Sequence, residues 1–367
     1  PYTTLFRSPD ERDFVHPITI QACFDLQDSI AQSLLHWLDV TDTTAALNSS
    51  RRLLLEAQDL VDTAYVNSQG IAIEFKTGMR GGIMIDALDG LPLMPEDAPA
   101  NASPSPEPKV VEIRPGSLRA LLLCPIYLER REIVDSLIES MGSDLARAGY
   151  GTFIKRLGNI CKISHFNDLE GFGIIHIYSH GFVWPEDESH EEVYIMSSES
   201  AEKLNRDYED ELLDGRLAPI CIPGRGNIYF IGSSYISAQN DLENYSPLVY
   251  FSFRNGINSS WTEKFYTVLN AGACVGVDGP LKADQNLEWS SGMYAALTDT
   301  SEEITTTLSE WLNSIDAEYD YDEDIITRID YAGPDDFIIW KRVHIEYLSR
   351  YSGKPEDIVE IRGFGFG

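Results

Sequence analysis

A chain of 367 residues, 43% hydrophobic and 11% aromatic, can bury a sizeable core and is long enough for one large domain plus a smaller one. Its 59 acidic against 28 basic side chains leave a formal net charge of −31, which repels nucleic-acid phosphates and anionic membrane surfaces and argues against both as partners. Five scattered cysteines without a CxxC pair or paired His ligands, and no signal peptide or apolar run near the ~20 residues of a bilayer span, lead us to expect a cytoplasmic protein without structural zinc or another cofactor.

The opening octapeptide, residues 1–8 (Pro-Tyr-Thr-Thr-Leu-Phe-Arg-Ser), resembles translated sequencing-adapter read-through and is read as artefactual. Helical apolar spacing follows over Phe24 to Leu38 and Ala45 to Leu60. Short strands are expected at Ile71 to Phe75 and Ile83 to Ile85, around Gly78, Gly81 and Gly82. Residues 1–91 therefore read as a small α+β module. Pro, Ala and Ser dominate the next stretch and apolar periodicity fades, so 92–117 reads as a linker and 118–367 as the main domain.

Strands then alternate with helices, which implies an α/β fold with a mainly parallel sheet and helices on both faces. Ala120 to Cys124 is a continuous apolar run closed by Pro125, the pattern of a fully buried strand, and Glu129 to Ala148 is its covering helix, stopped by Gly149. Further strands are expected at Gly151 to Leu157 and Gly173 to Tyr178, the latter delivering Ser179-His180-Gly181 at its C-terminal end. Asn227 to Ile231 is expected to deliver Gly232-Ser233-Ser234 to the same end, where open parallel sheets gather ligands. Leu248 to Phe253 and Ala273 to Val277 are strand candidates, with a helix between them that opens on a capping-box pattern, Ser260-x-x-Glu263. Between the histidine strand and Asn227 lies a polar insertion, 184–226, expected to overhang the site.

On four of these features the chain resembles the caspase-like cysteine peptidases, and in particular the bacterial CHAT branch, over residues 118 to about 311. They are Ala120-Leu121-Leu122-Leu123-Cys124-Pro125, then Ile174 to Gly181 with its His-Gly pair, then Ile228 to Ser234, then Phe265 to Gly279 with its Ala-Gly-Ala turn. The resemblance implies a caspase-like fold and peptide-bond hydrolysis by a thiolate with an imidazole acid/base. By the same resemblance His180 is the acid/base, the Gly181 N–H an oxyanion donor, and Ser234 occupies the place of the nucleophilic cysteine. Tyr178, Ser233, Tyr235 and Asp278 are the candidates for substrate contact. A hydroxyl in a site built around a thiolate is a poor nucleophile.

Other placements stay open at this point. Ser252, before Phe253-Arg254, is a second strand-end serine. Cys274, among Ala271-Gly272-Ala273 and Gly276, reads as packed core, and Cys221 belongs to the insertion. His176 shares the strand parity of His180 and is given a supporting role.

Three functions follow. The first is a cysteine endopeptidase that cleaves a partner protein in a bacterial defence pathway, in a form with serine at the nucleophile position. Its substrate would be a protein or peptide, with basic segments favoured by the acidic surface, and an activating protein would switch it on. The second is a natural pseudoenzyme of the same fold acting by protein or peptide binding. The third, a doubly wound domain for a nucleotide or phosphorylated ligand, lacks GxGxxG and GxxxxGK[ST], since Gly224-Arg225-Gly226 is too short to cradle phosphates.

Overall fold

The structure, a computed structural model, describes residues 17–85, 115–187, 190–257, 260–299, 306–322, 325–339, 344–348 and 361–364. The octapeptide, and the linker apart from Pro115 to Ser117, lie outside the described residues. The described chain opens on α1 (Pro17–Leu38) and α2 (Thr43–Glu56), followed by an antiparallel meander of β1 (Val61–Asn67), β2 (Gly70–Phe75) and β3 (Arg80–Met84). Asp42 starts α2 as its N-cap, accepting from the Ala45 N–H at 2.8 Å. The second expected helix thus ends before Leu60, and the residues from Val61 onward are strand.

After the linker come β4 (Arg119–Cys124), α3 (Arg131–Ala148), β5 (Thr152–Leu157) and β6 (Ile174–Tyr178). Helix α3 stops as the sequence implies: Gly149 takes φ 98°, the left-handed conformation that only glycine adopts freely, and the Tyr150 N–H closes back on the Leu145 carbonyl. Next come β7 (Gly181–Asp187), which leads into the insertion, β8 (His190–Ser200), α4 (Glu209–Leu213) and β9 (Leu217–Ile222) within it, and β10 (Gly226–Gly232) as it closes, and α5 (Ser233–Gln239) follows directly. Then come β11 (Leu248–Ser252), α6 (Ser260–Thr262) running into a π-helical turn over Glu263–Val268, β12 (Ala273–Asp278), α7 (Ala283–Thr298), α8 (Leu308–Ser314), β13 (Glu318–Asp322) and β14 (Ile325–Ala332). A separate hairpin pairs β15 (His344–Leu348) with β16 (Ile361–Phe364). The expected capping box at Ser260 does not form, since the Ser260 hydroxyl is buried without a hydrogen-bond partner.

Two seven-stranded sheets result, and the fold is α/β. One runs β13-β14-β12-β11-β6-β4-β5, parallel from β12 to β5, with β14 and β13 added antiparallel. Strands β4, β6 and β11 are buried almost throughout, as their apolar runs require of a sheet covered on both faces. Successive residues split between two cores: Leu122 packs with Val134, Met141 and Met293 of α3 and α7, whereas Leu121 and Leu123 pack with Trp261 and Phe265 on the other side.

The other sheet runs β1-β2-β3-β9-β10-β8-β7 and is antiparallel except where β3 meets β9. The segment read as a small module of its own, 1–91, therefore shares a sheet with the 184–226 insertion. At the β3/β9 seam the buried Gln27 of α1 donates from Nε2 to the Gly82 carbonyl at 2.8 Å and to the Pro219 carbonyl at 2.9 Å. Replacing Gln27 by the similarly sized Leu strands both carbonyls, and is expected to lower the unfolding free energy by about 1–3 kcal/mol. A urea titration checks this as a lower midpoint at unchanged slope.

Candidate functional site

Order within the parallel sheet decides where a ligand belongs. The sequence β5-β4-β6-β11-β12 reverses direction between β4 and β6, and open doubly wound sheets bind ligands in the crevice beyond the strand ends at such a switch point. A cleft of about 520 Å³ lies there. The segment after β4 contributes Ile126, Arg130 and Ile133, and the end of β6 contributes Tyr178, Ser179, His180 and Gly181. From β11 come Ser252, Phe253 and Arg254, and from the turn into α7 come Pro280 to Asp284.

His180 is thus at the cleft, and its Nε2 meets Glu129 Oε2 at 2.8 Å. The second Glu129 oxygen accepts from Arg225 of the β9–β10 turn at 2.5 Å. Burial opposes ionisation of Glu129, yet the hydrogen bonds and charges of His180 and Arg225 outweigh it and hold the carboxyl below its ordinary range. The pair fixes the imidazole plane and leaves its other nitrogen for a ligand.

Ser234 is elsewhere, and the expectation that it meets His180 at one sheet edge is corrected. Its strand, β10, belongs to the other sheet, where it pairs with β9 and β8. The reason is the connection: Ile222 pairs with Gly226, so only the tight turn through Gly224, at φ 83°, separates β9 from β10. Such a turn obliges antiparallel neighbours and cannot deliver β10 parallel to β6. Ser234 is half-buried in the first turn of α5, where its carbonyl accepts from Ser237. Ser233 is fully buried, its N–H and hydroxyl both bonded to Glu192, and the Tyr235 hydroxyl meets Asn167 at 3.0 Å. Neither of those residues lines the cleft, and nor does Asp278, which accepts from the Arg328 N–H at 2.8 Å. Tyr178 and Gly181 do line it. Gly181 opens β7 against β8, and a Cβ there would sit 3.1 Å from the Arg254 carbonyl. The insertion carries the strands expected of its apolar runs at Val193 to Met196 and Ile220 to Ile222, within β8 and β9, and is tied into the fold: Trp184 is buried, and Glu192 accepts from the Ser233 N–H at the start of α5.

Strand β11 lies beside β6 in parallel register, with Ser252 opposite Tyr178. The residues next to His180 across the sheet end are therefore Ser252, Phe253 and Arg254. The Ser252 hydroxyl is fully buried and is held from two sides, by His176 Nε2 at 2.6 Å and Asn286 Oδ1 at 3.0 Å. His176 Nδ1 meets the Tyr294 hydroxyl at 3.2 Å, and its ring stacks on Tyr250. Desolvation pushes the His176 pKa down to about 3. With the Ser252 proton donated to Asn286, the neutral His176 donates to Ser252 and accepts from Tyr294. The chain of bonds ties β6 and β11 to α7 and leaves Ser252 no lone base.

Arg254 is almost fully buried, and its Nη2 donates to Ser68 Oγ at 3.0 Å. Ser68 stands in the β1–β2 turn, beside Gln69, which brackets β7 by accepting from the Val183 N–H and donating to the Gly181 carbonyl. The hydrogen bond to Ser68 thus joins the end of β11, which lines the cleft, to the β1–β2 turn of the other sheet. Sequence reasoning missed Arg254, Glu129, Ser68 and the cations Arg130 and Lys282. The Pro223-Gly224 turn between two apolar runs was the available signal for a β9–β10 hairpin, and with it for β11 as the neighbour of β6. All five cysteines are buried. Burial raises every one of their thiol pKa values, those of Cys23, Cys161 and Cys221 to about 12. Among the described residues no helix is long and apolar enough to cross a membrane, and no three His, Cys, Asp or Glu side chains are grouped to hold a metal ion. No protein-family model matches the chain, and no curated protein matches it.

Proposed function

We propose that this is a caspase-like protein, similar to the CHAT branch, that binds a polypeptide segment in the cleft beyond β4, β6 and β11 without cutting it. The observation that carries the reading is the end of β11. By the resemblance, a peptidase of this layout presents its nucleophile at a strand end after an apolar run and two small residues, and the strand beside the histidine strand departs from that pattern at its second small position, which is Phe253. Here the run Leu248 to Phe251 is followed by Ser252 and Phe253, and Arg254 takes the third place. A guanidinium stays protonated and has no lone pair to attack a carbonyl. The buried, weakly acidic thiols and the doubly engaged Ser252 supply no substitute.

The retained parts suit binding. His180 is oriented by Glu129, and among the described residues the cleft carries Arg130, Arg254, Lys282 and Asp284 beside the apolar Ile126, Ile133, Phe253 and Leu281. The test is an incubation with a mixed peptide pool. The pool is expected to come through uncleaved while protecting the amides of 178–181 and 252–254 from hydrogen exchange. Cleavage of the pool would overturn the non-catalytic reading.

A further inference from the structure

We propose that the outer edge of β7 is a strand-addition site for the bound polypeptide, held shut by Asn67 and Gln69 of the β1–β2 turn. This rests on the reading above, that a polypeptide occupies the cleft. Strand β7 is the outermost of its sheet and pairs on one side only, with β8. A strand so placed presents main-chain groups that no ladder satisfies. In antiparallel pairing they belong to alternate residues, here Gly181, Val183 and Pro185. The turn covers the first two with side chains. Gln69 donates from Nε2 to the Gly181 carbonyl at 2.5 Å and accepts at Oε1 from the Val183 N–H at 2.7 Å. One residue of a strand running parallel to β7 would make the same two bonds with its own N–H and C=O, so the carboxamide stands in for a peptide group. Asn67 then donates from Nδ2 to the Val183 carbonyl at 2.9 Å.

The groups covered in this way are those an extended polypeptide matches with its main chain, as in strand addition to an exposed sheet edge. They also begin at the cleft. Gly181 follows His180 and lines the cleft itself, so a segment lying beside His180 meets the Gly181 carbonyl next. The edge runs out at Pro185, which has no N–H to offer, and this keeps the paired segment short. Gln69 and Val183 are both buried, and Asn67 Oδ1 fixes the turn by accepting from the N–H groups of Gln69 at 2.9 Å and Gly70 at 3.0 Å. A polypeptide therefore has to win Gly181 and Val183 from side chains already bonded to them. Its apparent affinity is reduced to the fraction of molecules in which the turn has let go.

The experiment uses the full chain and two fluorescent pools of uncharged octapeptides, identical except that alternate main-chain nitrogens are methylated in one. Methylation removes the N–H donors that strand pairing needs and leaves the side chains unchanged. Gln69→Met keeps the length of the side chain without its amide, and is expected to bind the unmethylated pool about tenfold more tightly than the parent does, the scale of one or two net hydrogen bonds that no longer compete. The methylated pool should show no such gain. Asn67→Asp, at a partly exposed position, keeps the acceptor that fixes the turn and loses only the donation to Val183. It should gain several-fold at an unchanged melting temperature, so the outcome does not depend on how the buried variant folds. Binding of the unmethylated pool with no gain in either variant overturns the closed edge and leaves polypeptide binding standing. Equal binding of the two pools by Gln69→Met does the same. Binding of neither pool by the parent or the variants overturns both readings.

Discussion

Trp261→Ala is expected to lower the unfolding free energy by about 3–5 kcal/mol, the range for deleting a buried indole and leaving its cavity. Trp261 is fully buried and lies where the two sheets meet. Its ring stacks on Phe265 at 5.8 Å and meets Phe251 and Phe253 edge-on at 6.0 and 5.3 Å. Its Nε1–H donates to the Val193 carbonyl of β8 at 2.6 Å, so one side chain joins the parallel sheet, the helix covering it and the other sheet. Trp261→Phe keeps most of the apolar contact and loses the hydrogen bond, with an expected cost nearer 1 kcal/mol from the stranded carbonyl. Denaturant midpoints of the three proteins check the order. Equal stability of Trp261→Ala and the parent would mean that the sheets are not joined through this residue.

Acid is expected to destabilise the fold through His176. Its folded pKa, about 3, lies below the ordinary 6.5, so the unfolded chain takes up a proton that the native chain refuses. The stability that depends on the neutral ring is complete above pH 6.5 and is lost as the pH falls towards 3. At about 1.4 kcal/mol per pH unit, roughly 2 kcal/mol is lost between neutrality and pH 5. The ring is surrounded by Tyr250, Tyr294, Ser252 and Asn286, none of them charged in this range. Replacing His176 by Gln keeps a donor and an acceptor without a titrating group, and should remove this part of the acid loss. Glu129, held below its usual pKa, contributes a further loss at lower pH, as its carboxylate protonates. An acid limb that is the same in parent and His176→Gln would refute the assignment.

How much of this was legible in the sequence follows from what each signal encodes. The apolar runs at 120–124, 174–178 and 248–252, interrupted only by His176 and Ser252, could be read directly, because strands buried on both faces leave no regular polar alternation. The end of α3 was equally plain, since Gly149 supplies the one conformation that stops a helix in this way. Strand adjacency was not legible from run and order alone. Ile228 to Ile231 and Leu248 to Ser252 are equally apolar, and which of them lies beside β6 is decided by the connection before it, a tight turn for β10 and a long excursion for β11. His180 was found because its strand and its sheet were both right. Arg254 was missed because the neighbouring strand was misassigned, and Ser68 because it comes from before the linker. Glu129 lies at the start of the expected helix, where nothing local distinguishes it from a solvated carboxylate.

The parallel seam between β3 and β9 also governs how the protein can be made. Gly82 leaves the ribosome roughly 140 residues before its partner Ile220, an interval of about 7–28 s at ordinary rates of synthesis. Throughout that time the β1–β3 meander presents the unpaired outer edge of β3, a template for pairing with another nascent chain. Severing the chain within the linker would make the exposure permanent on both sides. The downstream piece would carry β9, six residues buried without exception in the intact fold, as an open apolar edge prone to self-association.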